Sequence, residues 1–151
     1  MVKGTLPPGR RGSEDPGDNT VVPALDLVDD SYVACRPEDL APMVAAPGFA
    51  SALWPGWILT VTEERGCEGV RWSVGGPVTG SAEVWLERYR DRGCYLHVFA
   101  RVDPVDRIWT PKAARRNTDR VRRRVKRAVW DLKDRAEATH GEETWRAGPV
   151  E

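Results

Sequence analysis

Cysteine, histidine and phenylalanine are scarce: the 151-residue chain has three, two and two. Cys35, Cys67 and Cys94 form no CxxC pair, and two histidines cannot complete a common zinc set. A disulfide framework and a structural zinc are therefore excluded, and no metal or organic cofactor is implied. A reduced, cytoplasmic setting is the simpler reading. The N-terminus has no apolar h-region of a secretory signal. The stretch Leu40 to Thr62 carries no charge, but Pro42, Pro47 and Pro55 break it and its hydropathy is too low for a membrane span. GxGxxG, GxxxxGK[ST], HExxH and GxSxG are all missing, which removes the commonest nucleotide, metalloprotease and serine-hydrolase signatures.

What is present describes one folded domain. Hydrophobic residues make up 40% and charged residues 30%, an ordinary balance for a self-supporting core. Twenty-three basic and 23 acidic side chains cancel, so no whole-molecule charge draws the chain to nucleic acid or membrane. The cancellation hides a split, because the acids dominate up to residue 64 and arginines crowd residues 115–127.

Residues 1–23, with four prolines and four glycines and no apolar period, read as a disordered leader. A domain is expected over 24–140 and a flexible tail over 141–151. A first strand begins at Leu25, with a break at Asp29-Asp30 before Tyr32 and Val33. Pro37-Glu38-Asp39 is a helix start, giving a short helix over 37–45, and Pro47 to Leu53 starts a second. Period-two runs at Trp57 to Thr62, Val70 to Val74, Ala82 to Leu86 and Tyr95 to Val102 are strands separated by turn signals, in the spacing of an antiparallel meander. The stripe Val121, Val125, Ala128, Val129, Leu132 and Ala136 predicts a long helix over 111–138.

Within that order, the residues Gly69-Val70-Arg71-Trp72, Glu83-Val84-Trp85-Leu86-Glu87, Leu96-His97, Leu53-Trp54-Pro55 and Leu132-Lys133-Asp134 resemble the polyketide cyclase/dehydrase-like branch of the START-like (SRPBCC) superfamily. The resemblance covers about residues 25–138. It implies an α+β helix-grip fold, in which a curved antiparallel sheet wraps around a long C-terminal helix and two short helices follow the first strand. It further implies a hydrophobic or aromatic small-molecule ligand, lipid- or polyketide-like, in a cavity between sheet and helix, with cyclase or dehydrase activity in some members. Five strands are counted where the superfamily usually has six or seven.

Several constellations could carry chemistry in such a fold. Arg71, Glu83 and His97 lie on three successive strands. With aligned registers they would form a cation, a carboxylate and an imidazole in one patch, able to polarise a carbonyl and move a proton. A one-residue slip would instead make them a solvated charge ladder on the convex face. Trp85, Tyr95 and Phe99 are candidate ligand-lining aromatics; Trp85, alternating with Glu83 and Glu87, is either a cavity wall or an exposed partner surface. Phe49, Trp54 and Trp57 belong to a segment, 44–57, that covers one mouth of the grip as a gate or as plain packing. Arg115, Arg116, Arg120, Arg122, Arg123, Arg124, Lys126 and Arg127 support the competing reading, a non-enzymatic interaction protein docking to an acidic partner or nucleic acid. No reader motif accompanies them, and the acidic N-terminal half offers an internal or homodimer counterpart.

Overall fold

The computed structural model describes residues 22–141, so the expected leader, up to residue 21, and the tail from 142 lie outside the described residues. Five strands, two short helices and one long helix follow the expected order. They are β1 (Leu25–Val33), α1 (Pro37–Ala45), α2 (Pro47–Leu53), β2 (Ile58–Glu64), β3 (Gly69–Gly75), β4 (Val78–Tyr89), β5 (Gly93–Pro104) and α3 (Pro111–Ala136). The strands form one antiparallel sheet in the order β1-β5-β4-β3-β2. Strands β2 to β5 are a meander, and β1 crosses over to pair with β5 at the edge.

Each element has a local cause. Pro37 and Pro47 occupy the first turns of α1 and α2, where a missing N–H costs nothing. The Thr110 hydroxyl accepts a hydrogen bond from the Ala113 N–H at 3.1 Å and caps α3. Trp54-Pro55-Gly56-Trp57 is a β-turn closed by the Trp57 N–H on the Trp54 carbonyl at 3.2 Å. Proline presets its second position, and Gly56, at φ +85°, supplies the left-handed third.

Strand parity divides the sheet into two unlike faces. Leu25, Leu27 and Val33 of β1, Val70, Trp72 and Val74 of β3, Val84 and Leu86 of β4, and Leu96, Val98, Ala100 and Val102 of β5 are all buried. They form one cluster with Leu40 and Val44 of α1, Phe49 and Leu53 of α2, and the whole expected stripe of α3 from Val121 to Ala136. This is the helix-grip arrangement: the helices lie on one face of an open curved sheet and the core lies between.

One expectation needs correction. The first strand does not break at Asp29-Asp30 but runs unbroken to Val33. The inward Asp29 is tolerated because Lys126 of α3 places its Nζ 2.6 Å from the carboxylate, and Ser31 donates to it at 3.3 Å. Asp29 is the one buried charged side chain among the described residues.

Candidate functional site

The register brings Arg71, Glu83 and His97 to one face, the face turned away from the helices. Arg71 lies opposite Glu83 across β3 and β4. His97 lies opposite Trp85 across β4 and β5 and opposite Asp30 across β5 and β1. The three do not bond to one another. Glu83 pairs with Arg65 at 2.5 Å, and the same guanidinium reaches Glu63 at 3.1 Å. Hydrogen bonding to Glu63, reinforced by the charge of Glu83, raises the Arg65 pKa, and that guanidinium in turn holds the Glu63 carboxyl below the ordinary carboxylate value.

His97 sits between two acids: Nδ1 is 2.6 Å from Asp30 and Nε2 is 2.9 Å from Glu87. Both carboxylates accept, so whichever ring nitrogen carries a proton donates to one of them. The two acids meet opposite edges of the ring and cannot converge with it on one ion, in keeping with the absence of any metal-holding cluster among the described residues. The Trp85 indole stacks on His97 with centroids 4.8 Å apart. Tyr95 and Phe99 flank the same ring at 6.2 and 6.3 Å.

Trp85, Tyr95 and Phe99 are thus brought together, but their placement does not fit a lining role between sheet and helix. Alternation sends Leu86, Leu96 and Val98 to the helices and these three to the other side. A shallow open depression of about 400 Å³ lies on this outer face, lined by Thr62, Glu63, Arg71, Ser73 and Ser81 among others. It lies open to water rather than enclosed, unlike a ligand pocket.

The other three aromatic candidates lie on the helix side. Phe49 and Trp54 are buried, and Trp57 packs partly buried against the core. The Trp54-to-Trp57 turn stacks the two indoles at 4.9 Å and 3° from parallel, one deep and one shallow. Trp54 Nε1 is buried and has no hydrogen-bond partner.

Sequence reasoning missed the polar groups that face the grip. Asp29, Ser31 and Lys126 form a bonded group between β1 and α3. A second tether lies about two helical turns further along α3. There Lys133 donates to the Tyr32 carbonyl and pairs with Glu137, and Glu137 accepts from the Ala34 N–H at 2.9 Å. The signal that could have found the first was parity: Asp29 shares its face with Leu25, Leu27 and Val33. Cys94 is no nucleophile, since burial pushes its thiol up to about 12. Cys35 is also buried, and Cys67 is exposed on the turn before β3.

Comparison by sequence finds no matching family model and no matching curated protein. Comparison by structure finds the fold. A conserved protein from Geobacillus kaustophilus aligns with a TM-score of 0.61 at 12% identity, over 77% of this chain and 97% of that one. A protein from Thermobifida fusca gives 0.56 at 14%, over 75% and 93%. The Aha1 dimer from Colwellia psychrerythraea gives 0.51 at 11%, over 75% and 96%. The chain has the START-like helix-grip fold. Each of these neighbours is spanned almost completely, so the likeness is to whole domains and not to a shared fragment. Among the described residues no helix is long and apolar enough to cross a membrane.

Proposed function

We propose that the protein binds a hydrophobic or aromatic small molecule, lipid- or polyketide-like, between the sheet and α3, and that it works in a reduced, cytoplasmic compartment. The observation that carries the reading is the Trp54–Trp57 stack. It sits where the segment 44–57 passes from α2 to β2, with one indole at the core and the other reaching the surface. A flat apolar guest could enter beside the stack as the outer indole moves aside, and lie along its edge at little cost in buried area. The Pro55-Gly56 turn is the hinge on which Trp57 would swing, which makes the segment a gate. The buried thiol of Cys94 favours the reduced compartment.

Cyclase or dehydrase chemistry on such a guest would need acid and base groups facing it. Arg71, Glu83 and His97 face away, so the groups nearest to that task are Asp29, Ser31 and Lys126. Binding is therefore the better supported part of the proposal. Turnover is its extension.

A second reading has its own observation. Arg116, Arg120, Arg123 and Arg127 follow one another at i, i+4, i+7 and i+11 on the face of α3 opposite the core stripe, and the half-exposed Trp130 continues the line. None of these four arginines has an ion pair with a described residue; Arg120 bonds to Asn117. A solvated ridge of that kind would dock an acidic partner, a second copy or nucleic acid, with affinity that falls steeply as salt rises.

Native mass spectrometry of the purified protein, together with titration by a hydrophobic dye, tests the first reading. Bound cargo or saturable dye uptake, altered in Trp57→Ala, is the expected result. Protein with neither cargo nor dye binding refutes it. The second reading then requires salt-sensitive retention on an anionic resin that Arg123→Glu/Arg127→Glu removes.

A further inference from the structure

We infer that the Trp54 indole N–H is the polar anchor of the grip, and that it selects a neutral guest carrying a hydrogen-bond-accepting oxygen over a plain hydrocarbon. The inference rests on the binding reading above and names what that site recognises.

Trp54 is only 2% exposed, and its Nε1 meets no acceptor. Buried indole N–H groups almost always find a partner, and an orphaned one weakens the fold unless something else uses the donor. Packing alone does not call for the group, because neighbouring positions of the same cluster, Phe49 and Leu53, fill their space without a donor. The indole N–H points outward in the plane of the ring. The Trp57 ring covers the face of Trp54, parallel to within 3°, and so leaves that edge unserved. An acceptor must therefore arrive edge-on to the stack, as the carbonyl of a flat molecule lying along it would.

The charge of the guest follows from what surrounds it. Asp29 is the one buried charged side chain among the described residues, and Lys126 already neutralises it. An ionised guest would find no counter-charge in the core, and burying it unpaired is prohibitive. A neutral ketone, quinone or alcohol meets the requirement.

The test compares 9-fluorenone with fluorene, two flat frames that differ by one carbonyl, using equilibrium dialysis with the full chain. The wild type is expected to bind fluorenone about tenfold more tightly, the effect of one hydrogen bond made to a donor otherwise left orphaned. Trp54→Phe should bring the ratio close to one while fluorene still binds, and Trp57→Phe should keep the preference. Should Trp54→Phe fail to fold, the wild-type ratio decides, together with the indole N–H resonances, of which one should move downfield with fluorenone and none with fluorene. Equal binding of both probes to the wild type overturns the anchor and leaves the binding site standing. Failure of both probes to bind overturns the binding reading, and the anchor with it.

Discussion

The pair between Asp29 and Lys126 should be asymmetric, and its asymmetry can be worked from the two exposures. The Asp29 side chain is 7% exposed, whereas Lys126 is 44% exposed. Removing the aspartate frees a lysine that can swing into water. Removing the lysine strands a carboxylate beside the core with only the Ser31 hydroxyl to stabilise it. A fully buried pair broken from one side costs roughly 3–5 kcal/mol. The half-exposed lysine calls for a discount, because water already screens the pair and can partly re-enter. Lys126→Met should therefore cost about 2 kcal/mol, and Asp29→Asn, which keeps shape and hydrogen bonding, about 1 kcal/mol.

The decisive variant is the double one. Asn at position 29 leaves no charge to strand, so Asp29→Asn/Lys126→Met should be more stable than Lys126→Met alone. Urea unfolding followed by tryptophan emission reads all three. At about 2–4 °C per kcal/mol for a domain of this size, thermal melts should show Lys126→Met lower by about 4–8 °C. If Asp29→Asn proves more harmful than Lys126→Met, or if the double variant is the least stable of the three, Asp29 is not held inward by the lysine and the account of β1 fails.

Two further predictions follow from burial. The exposed Cys67 should react with a thiol reagent at pH 8 in the native protein, while Cys35 and Cys94 should react only on unfolding, so the titre should rise from one to three in denaturant. Because folding raises the Cys94 pKa from 9.0 to about 12, the native state holds that proton where the unfolded chain releases it. Stability from this group is full below about pH 9 and is lost as pH climbs toward 12; a Cys94→Ala variant with a steeper alkaline decline than the wild type would contradict this. On α3, Leu132→Ala should cost about 2–5 kcal/mol and Trp130→Ala under about 0.5 kcal/mol, since the first is fully buried and the second half-exposed on the opposite side. Equal losses in urea melts would mean that the helix does not present the stripe to the sheet.

Element order was legible because its signals are local. Pro37 and Pro47 mark their helices, the turn residues separate the strands, and the six apolar positions of α3 repeat with the helical period. Which sheet face carries a side chain was not legible: Tyr95 and Phe99 read as cavity-lining, whereas the structure buries Leu96 and Val98 against the helices and so turns Tyr95, His97 and Phe99 outward. What could not be read was which polar residue finds a partner across long separations. Asp29 and Lys126 lie far apart in the chain, and nothing at either position announces the other. Two adjacent aspartates look like a strand break until a cation from α3 makes one of them tolerable. The orphaned Trp54 donor was hidden for the opposite reason, since a missing contact leaves no trace in sequence.

The outer face shows why a polar constellation need not be a site. Arg65 is committed to Glu63 and Glu83, and His97 to Asp30 and Glu87, with Trp85 stacked over the imidazole. Apart from Arg65 with Glu63, two residues away, these bonds tie β5 to β1, β5 to β4, and the turn after β2 to β4, where no helix covers the sheet. Cross-strand pairs of this kind stabilise a sheet, and a general base must by contrast keep a lone pair for its substrate. A ring with a carboxylate within hydrogen-bond distance of each nitrogen has neither edge open to a substrate. The helix face presents the converse case, a largely apolar core whose ion pairs, Asp29 with Lys126 and Lys133 with Glu137, are neutralised and whose Trp54 donor is unused. Recognition needs an unsatisfied group and stability the satisfied ones, which is why the proposed ligand is assigned to the side of Trp54.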